Sequence, residues 1–312
     1  MRSLFQWLYI FQRSKKSTFM PVILVTGCAS GIGWAVAKTL QKQKRYRIVI
    51  TAREKSLSKL REGFVEDDRL WILPLDVTSD ESRKTTIRMI EGRWGPVNVL
   101  VSNAGISYRA VVEHMDSKEE ILQMDTNYLG PMELIRLVLP NMRKVGRGKI
   151  IAVSSVSGML SMPTMSAYSA SKHALEGALE SLWYEARPYG IDVTLIQPGF
   201  IRSNSFKKVY YTKLSDPKVA LEGDYKDFYI HMTPFVEKLM ALSPTTPKVV
   251  AQKILKVIRW EAPPLWVPAT WDAVIFYYIR RLMPRRYLLP FLYMCLPKAS
   301  SWAKDVSHKR KD

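Results

Sequence analysis

Residues 21–33 constrain the fold most. Pro21-Val22-Ile23-Leu24-Val25-Thr26 is a short apolar, β-branched run that breaks into Gly27-Cys28-Ala29-Ser30-Gly31-Ile32-Gly33. A helical pattern follows, with Ile32, Ala35, Val36, Thr39 and Leu40 on one side. Strand, glycine turn and helix in this order make a dinucleotide-binding start. The glycines let backbone approach a pyrophosphate, and the helix amino terminus favours its negative charge. The spacing is G-x-x-x-G-x-G rather than the better-known G-x-G-x-x-G, and a tight turn without a ligand would use the same residues.

The alternation then repeats. Strand-like runs cover 47–52, 70–75 (ending in Asp76-Val77), 96–102 (leading into Asn103-Ala104-Gly105), 148–154 and 192–196 (leading into Pro198-Gly199). Helical patterns cover 79–92, about 118–143 with a bend near Gly130-Pro131, and 166–186. This order predicts an α/β fold with a doubly wound parallel sheet, the Rossmann fold. At 312 residues with no interior linker, we read a single domain over 21–270. Within it, 200–246 reads as short helices and loops beyond the sheet edge, where a lid over the substrate would sit. A helix over 247–260 and a last strand over 264–267 follow. Residues 1–20 and 271–312 are apolar and basic extensions.

Two places carry chemistry. The second strand ends in Ala52-Arg53, with no acid until Glu54. An acid there would grip the ribose hydroxyls of NAD, whereas an arginine suits the 2′-phosphate of NADP. The alternative is a surface arginine opening a helix. The second place is the end of the fifth strand. Ser155 precedes Tyr168 by thirteen residues, and Lys172 follows Tyr168 by four, on the same helix face. An ammonium beside a phenol stabilises the phenolate and lowers its pKa, which suits proton transfer near neutral pH. Alone, Y-x-x-x-K also fits a solvated lysine stacked on a tyrosine. Ser154 faces away from the substrate if strand alternation continues that far.

Charge and composition narrow the rest. The chain has 47 Lys and Arg against 28 Asp and Glu, a net +19 that attracts phosphates, anionic lipid or nucleic acid. No nucleic-acid motif accompanies the charge, so we expect no nucleic-acid partner. Two cysteines, Cys28 and Cys295, suggest neither a disulfide framework nor a metal site and fit a reducing, cytoplasmic setting. His114, His173, His231 and His308 have no ligand spacing, so no metal is expected. No run reaches the ~20 apolar residues a spanning helix needs. The N-terminal run Leu4 to Phe11, followed by Arg13, Lys15 and Lys16, reads either as an interfacial anchor or as a helix packed on the domain. The segment 273–297 pairs Phe276, Tyr277, Tyr278, Leu282, Leu288, Leu289 and Phe291 with Arg280, Arg281, Arg285 and Arg286, again fitting a membrane surface or a packed element.

Taken in order, Thr26-Gly27-x-x-x-Gly31-Ile32-Gly33, Asp76-Val77, Asn103-Ala104-Gly105, Asn127, Ser155, Tyr168-x-x-x-Lys172 and Pro198-Gly199 resemble the short-chain dehydrogenase/reductase family. The resemblance covers residues 20–205 well and 206–270 loosely. It implies that Gly27, Ser30, Gly31, Ile32 and Gly33 face the pyrophosphate and adjoining ribose. Asp76 and Val77 would border the adenine, Asn103, Ala104 and Gly105 the cofactor's middle, and Pro198, Gly199 and Ile201 the nicotinamide. Asn127 would prop a water-linked proton relay to Lys172. Lys172 would hold the nicotinamide ribose and tune Tyr168, the general acid/base, while Ser155 orients the substrate oxygen. Ser203 keeps the hydroxyl of the threonine common at its position. The implied reaction is hydride transfer between NADP(H), or less favourably NAD(H), and an alcohol or ketone. Thr51-Ala52-Arg53, the aromatic 200–246 segment and the C-terminal extension resemble the branches that act on steroids, retinoids or other lipid alcohols. A homo-oligomer is a further family expectation. A catalytically silent binding or regulatory protein on the same fold and, from the +19 charge, a basic nucleic-acid binder are the competing readings.

Overall fold

The computed structural model describes residues 19–203 and 209–302. The N-terminal residues 1–18, with their expected anchor, lie outside the described residues, as do residues 204–208 of the expected lid and residues 303–312 of the C-terminal extension.

Seven parallel strands form one sheet: β1 (Val22–Val25), β2 (Arg47–Ala52), β3 (Leu70–Pro74), β4 (Val99–Ser102), β5 (Gly148–Val153), β6 (Ile191–Gln197) and β7 (Trp266–Pro268). Their order is β3-β2-β1-β4-β5-β6-β7. Successive β1 side chains point to opposite faces, and both faces are buried. Ile23 and Val25 enter one apolar cluster, and Val22 and Leu24 the other. This explains why the strands read as continuous apolar runs.

Helix α1 (Gly31–Gln41) packs on the first face, α2 (Leu57–Gly63) follows β2, and α3 (Asp80–Trp94) follows β3. The helix expected over 118–143 is realised in three pieces: α4 (Ser117–Met124), a π-helical turn (Asp125–Leu129) and α5 (Gly130–Val145). The irregularity lies in the turn holding Asn127, just before Gly130-Pro131. A Cβ at Gly130 would stand 2.5 Å from Val77 O, so glycine lets the chain pass the end of β3. Helix α6 (Ser166–Ala186) buries Leu175, Leu179 and Leu182 on the second face.

After β6 come α7 (Pro217–Ala220), α8 (Lys226–Leu242) and α9 (Pro247–Arg259), whose Val250, Ile254 and Val257 join the first face. The C-terminal stretch forms α10 (Trp271–Leu282) and α11 (Arg285–Met294). It divides the residues read as one apolar group. Leu288 is buried, and Phe276 and Tyr277 pack with it against Val156, Met159 and Leu160. Tyr278, Leu282, Leu289 and Phe291 are exposed. Arg281 lies over the Tyr277 ring, 3.5 Å from its centroid. No helix among the described residues is long and apolar enough to cross a membrane.

Candidate active site

Strand order reverses between β1 and β4, which pair with each other and open a crevice at their carboxyl ends. The glycine turn fills one side of it. Gly27 and Gly31 have φ of 70° and 59°, values that strain other residues. A Cβ at Gly27 would stand 2.8 Å from Ala104 Cα, and one at Gly33 would stand 2.3 Å from Gly27 O. At Gly31 a Cβ would meet nothing within 4 Å, so the backbone there is uncovered. Thr26 and Asn103 hold the turn to β4. Thr26 Oγ1 accepts from the N–H groups of Asn103 (2.9 Å) and Ala104 (3.0 Å), and Asn103 Nδ2 donates to Thr26 O (3.0 Å) and Gly27 O (3.1 Å). Asn103 thus shapes the cradle through its own side chain. With the open backbone at Gly31 and the α1 amino terminus behind it, these residues fit a dinucleotide's phosphates.

The remaining cofactor candidates sit along the same edge. Arg53 is exposed just after β2 and makes no ion pair among the described residues. The Asp76 carboxylate is tied locally, accepting from Thr78 N–H (3.0 Å) and Thr78 Oγ1 (2.7 Å). Arg83 Nη1 donates to Val77 O (2.6 Å). Ile201 is buried beyond Pro198 and Gly199. Cys28 is buried inside the turn, its Sγ donating to Val25 O (3.4 Å), and burial pushes its thiol up to about 12.

Strand alternation separates the two serines as the sequence predicts. Ser154 is buried and donates to Glu176 Oε1 (2.6 Å). Ser155 is extended at the end of β5; its Oγ accepts from Ser157 N–H (3.1 Å) and lies near enough to the Tyr168 phenol to act on its pKa. Tyr168, Lys172 and Glu176 share one face of α6 at i, i+4 and i+8. Lys172 is buried, and its Nζ donates to Val153 O (2.9 Å), 5.9 Å from the Tyr168 ring centroid. Asn127 is fully buried. Its Oδ1 accepts from Ile106 N–H (2.9 Å), and its Nδ2 donates to Ile106 O (2.9 Å) and Ser171 Oγ (3.0 Å). A Cβ at Gly105 would stand 3.2 Å from Asn127 Oδ1 and 3.9 Å from Lys172 Nζ, so both groups converge beneath Gly105.

The electrostatics correct one expectation. The Tyr168 pKa is raised, not lowered: burial dominates, while the Ser155 hydroxyl and the charge of Arg109 oppose it. Burial also brings Lys172 down to about 8, with Glu176 opposing. Burial decides the direction, and the influences that oppose it come from Ser155 and Arg109 rather than from Lys172, from which a lowered phenol was expected.

Arg109 and Glu176 were not foreseen. Arg109 lies in the loop after β4, where its N–H donates to Tyr210 O (2.9 Å). Burial lowers its pKa to about 10, against the opposing influence of Tyr168 and Tyr211. No periodic pattern marks an arginine in such a loop. Glu176 was legible only as one more turn of the Tyr168–Lys172 face.

A groove of about 970 Å³ elsewhere on the molecule includes Arg45, Arg147, Arg187 and Arg259 in its lining. It lies at the amino-terminal edge of the sheet and includes none of the site residues.

A sequence model of the short chain dehydrogenase family matches residues 21–213. The chain belongs to this family. A short-chain dehydrogenase from Streptomyces avermitilis superposes with a TM-score of 0.73 at 31% identity, covering 89% of this chain and 98% of its own. The 3-ketodihydrosphingosine reductase of Bacteroides thetaiotaomicron is 32% identical over 91% of this chain and 93% of its own length. Retinol dehydrogenase 8 of Homo sapiens is 32% identical over 78% and 79%. As a short-chain dehydrogenase/reductase, the protein is an oxidoreductase on a fold that binds a nicotinamide cofactor.

Proposed function

We propose that the protein transfers hydride between NADP(H) and a hydrophobic alcohol or ketone, with Tyr168 as general acid/base. The convergence of Ser155, Tyr168 and Lys172 at the carboxyl end of β5 carries this reading. The bound dinucleotide supplies the hydride chemistry. In reduction the Tyr168 hydroxyl gives its proton to the forming alkoxide, and in oxidation it takes the proton back. Ser155 holds the substrate oxygen beside the phenol. Lys172 supplies positive charge as the phenolate forms and contacts the nicotinamide ribose, and Asn127 fixes the loop at Ile106 against α6.

Gly27, Ser30, Gly31, Ile32 and Gly33 hold the pyrophosphate, Asp76 and Val77 flank the adenine, Asn103, Ala104 and Gly105 line the middle, and Pro198, Gly199 and Ile201 flank the nicotinamide. Exposed Arg53 at the β2 end supports NADP over NAD. The named substrates of the sphingosine reductase and the retinol dehydrogenase support a lipid-like substrate. The segment 200–246 serves as its lid.

The exposed Trp271, Ile275, Tyr278, Leu282 and Leu289, beside Arg280 and Arg286, support peripheral contact with an anionic membrane surface.

The test is a panel of hydrophobic ketones and alcohols with NADPH, NADH and their oxidised forms, followed at the nicotinamide absorbance. Tyr168→Phe should keep cofactor affinity and lose about 10²–10⁴-fold in turnover. Near-normal turnover in a folded Tyr168→Phe variant excludes this role.

A further inference from the structure

The sheet's backbone pairing gives out just past β6 and β7. Ala269 N–H donates to Gln197 O (2.8 Å), beyond the last residue of β7. The next two N–H groups on the β6 side are taken by side chains. Gly199 N–H donates to Thr270 Oγ1 (2.9 Å), and Phe200 N–H donates to Asp272 Oδ2 (2.8 Å). Both acceptors are buried, Thr270 at 2% exposure and Asp272 at 7%. Thr270 also caps α10, its Oγ1 accepting from Ala273 N–H (3.2 Å). On the other side, Val156 N–H donates to Pro198 O (2.8 Å). A Cβ at Gly199 would stand 1.8 Å from Asp272 Oδ2 and 2.8 Å from Thr270 Oγ1. Glycine is required here because the two acceptors come so close.

We infer that Thr270 and Asp272 are positioning residues for the nicotinamide half of the cofactor site, holding the Pro198–Phe200 backbone in place from the amino-terminal end of α10. The inference rests on the proposed placement of Pro198, Gly199 and Ile201 beside the nicotinamide. A buried carboxylate receiving a backbone N–H makes a stronger, more directional bond than a neutral acceptor. Without these two side chains, two consecutive part-buried N–H groups lose their protein partners, and that loop is free to leave the geometry the ring needs. The residues read as an extension beginning at 271 therefore contribute to the cofactor site.

The experiment compares two ligands on the full chain: the preferred dinucleotide, and the matching ADP-ribose fragment that lacks the nicotinamide. Asp272→Ala should weaken the dinucleotide about 10- to 100-fold, the scale of a lost bond to a charged group, and leave the fragment within about twofold. Asp272→Asn keeps an acceptor oxygen but gives up the charge, so its loss should be smaller than that of Asp272→Ala. Its amide can keep an oxygen toward Phe200, because Asp272 Oδ1 makes no hydrogen bond that would be lost. If Asp272→Ala does not fold, Thr270→Val tests the Gly199 contact with the same ligand pair. Equal losses for dinucleotide and fragment would mean a general structural role and overturn the assignment, as would no loss for either. If the wild-type chain binds the fragment but neither NADPH nor NADH, the nicotinamide placement itself fails, and the assignment with it.

Discussion

Replacing Lys172 with methionine should stabilise the fold at neutral pH while removing the proposed catalysis. Burial lowers Lys172 from 10.5 to about 8. At about 1.4 kcal/mol per pH unit, holding the ammonium inside costs about 3 kcal/mol at pH 7. Between about pH 8 and 10.5 the unfolded chain binds a proton that folded Lys172 has released, so wild-type stability rises with pH across that window. Methionine fills similar space without a charge and has no such rise. It also leaves Val153 O without its 2.9 Å donor, at about 1 kcal/mol. The variant should therefore be about 2 kcal/mol more stable than wild type at pH 7, and about 1 kcal/mol less stable above pH 10.5. Urea unfolding of both proteins at the two pH values measures the difference, in which other titrating groups largely cancel. A variant less stable at pH 7, or a difference that does not change with pH, refutes the account of a strained buried ammonium.

Three further outcomes follow from the site and surface. Arg53→Ala should weaken NADPH by about 1–3 kcal/mol and barely alter NADH in binding titrations; equal losses would make Arg53 structural. In the native chain at about pH 8, iodoacetamide should label exposed Cys295 and leave buried Cys28 intact by mass spectrometry, because a thiol held near 12 supplies almost no thiolate; equal labelling would contradict its burial. The full chain should float with anionic vesicles at low salt, each basic residue at the surface contributing about 1 kcal/mol, and a folded chain lacking residues 1–19 and 273–312 should not; full-length protein left in the soluble fraction would make both ends structural.

Local pattern determined much of this protein. The β-branched run before Gly27 specified β1 and the turn after it, because strand and helix periodicities are read over a few residues. The four-residue spacing placed Tyr168 and Lys172 on one helix face, and strand alternation sent Ser154 and Ser155 apart before any contact was known. Tertiary structure decided what depends on distance through space. The Tyr168 pKa rises because packing strips water from the phenol, which no spacing records. Arg109 comes near that phenol from a loop far from it in sequence. Asp272 reaches Phe200 across 72 residues, and Thr270 reaches Gly199 across 71, because β7 pairs with β6 and carries the next helix back over its end. Periodicity shows which residues share a face, but burial and charge depend on what the folded chain brings against that face.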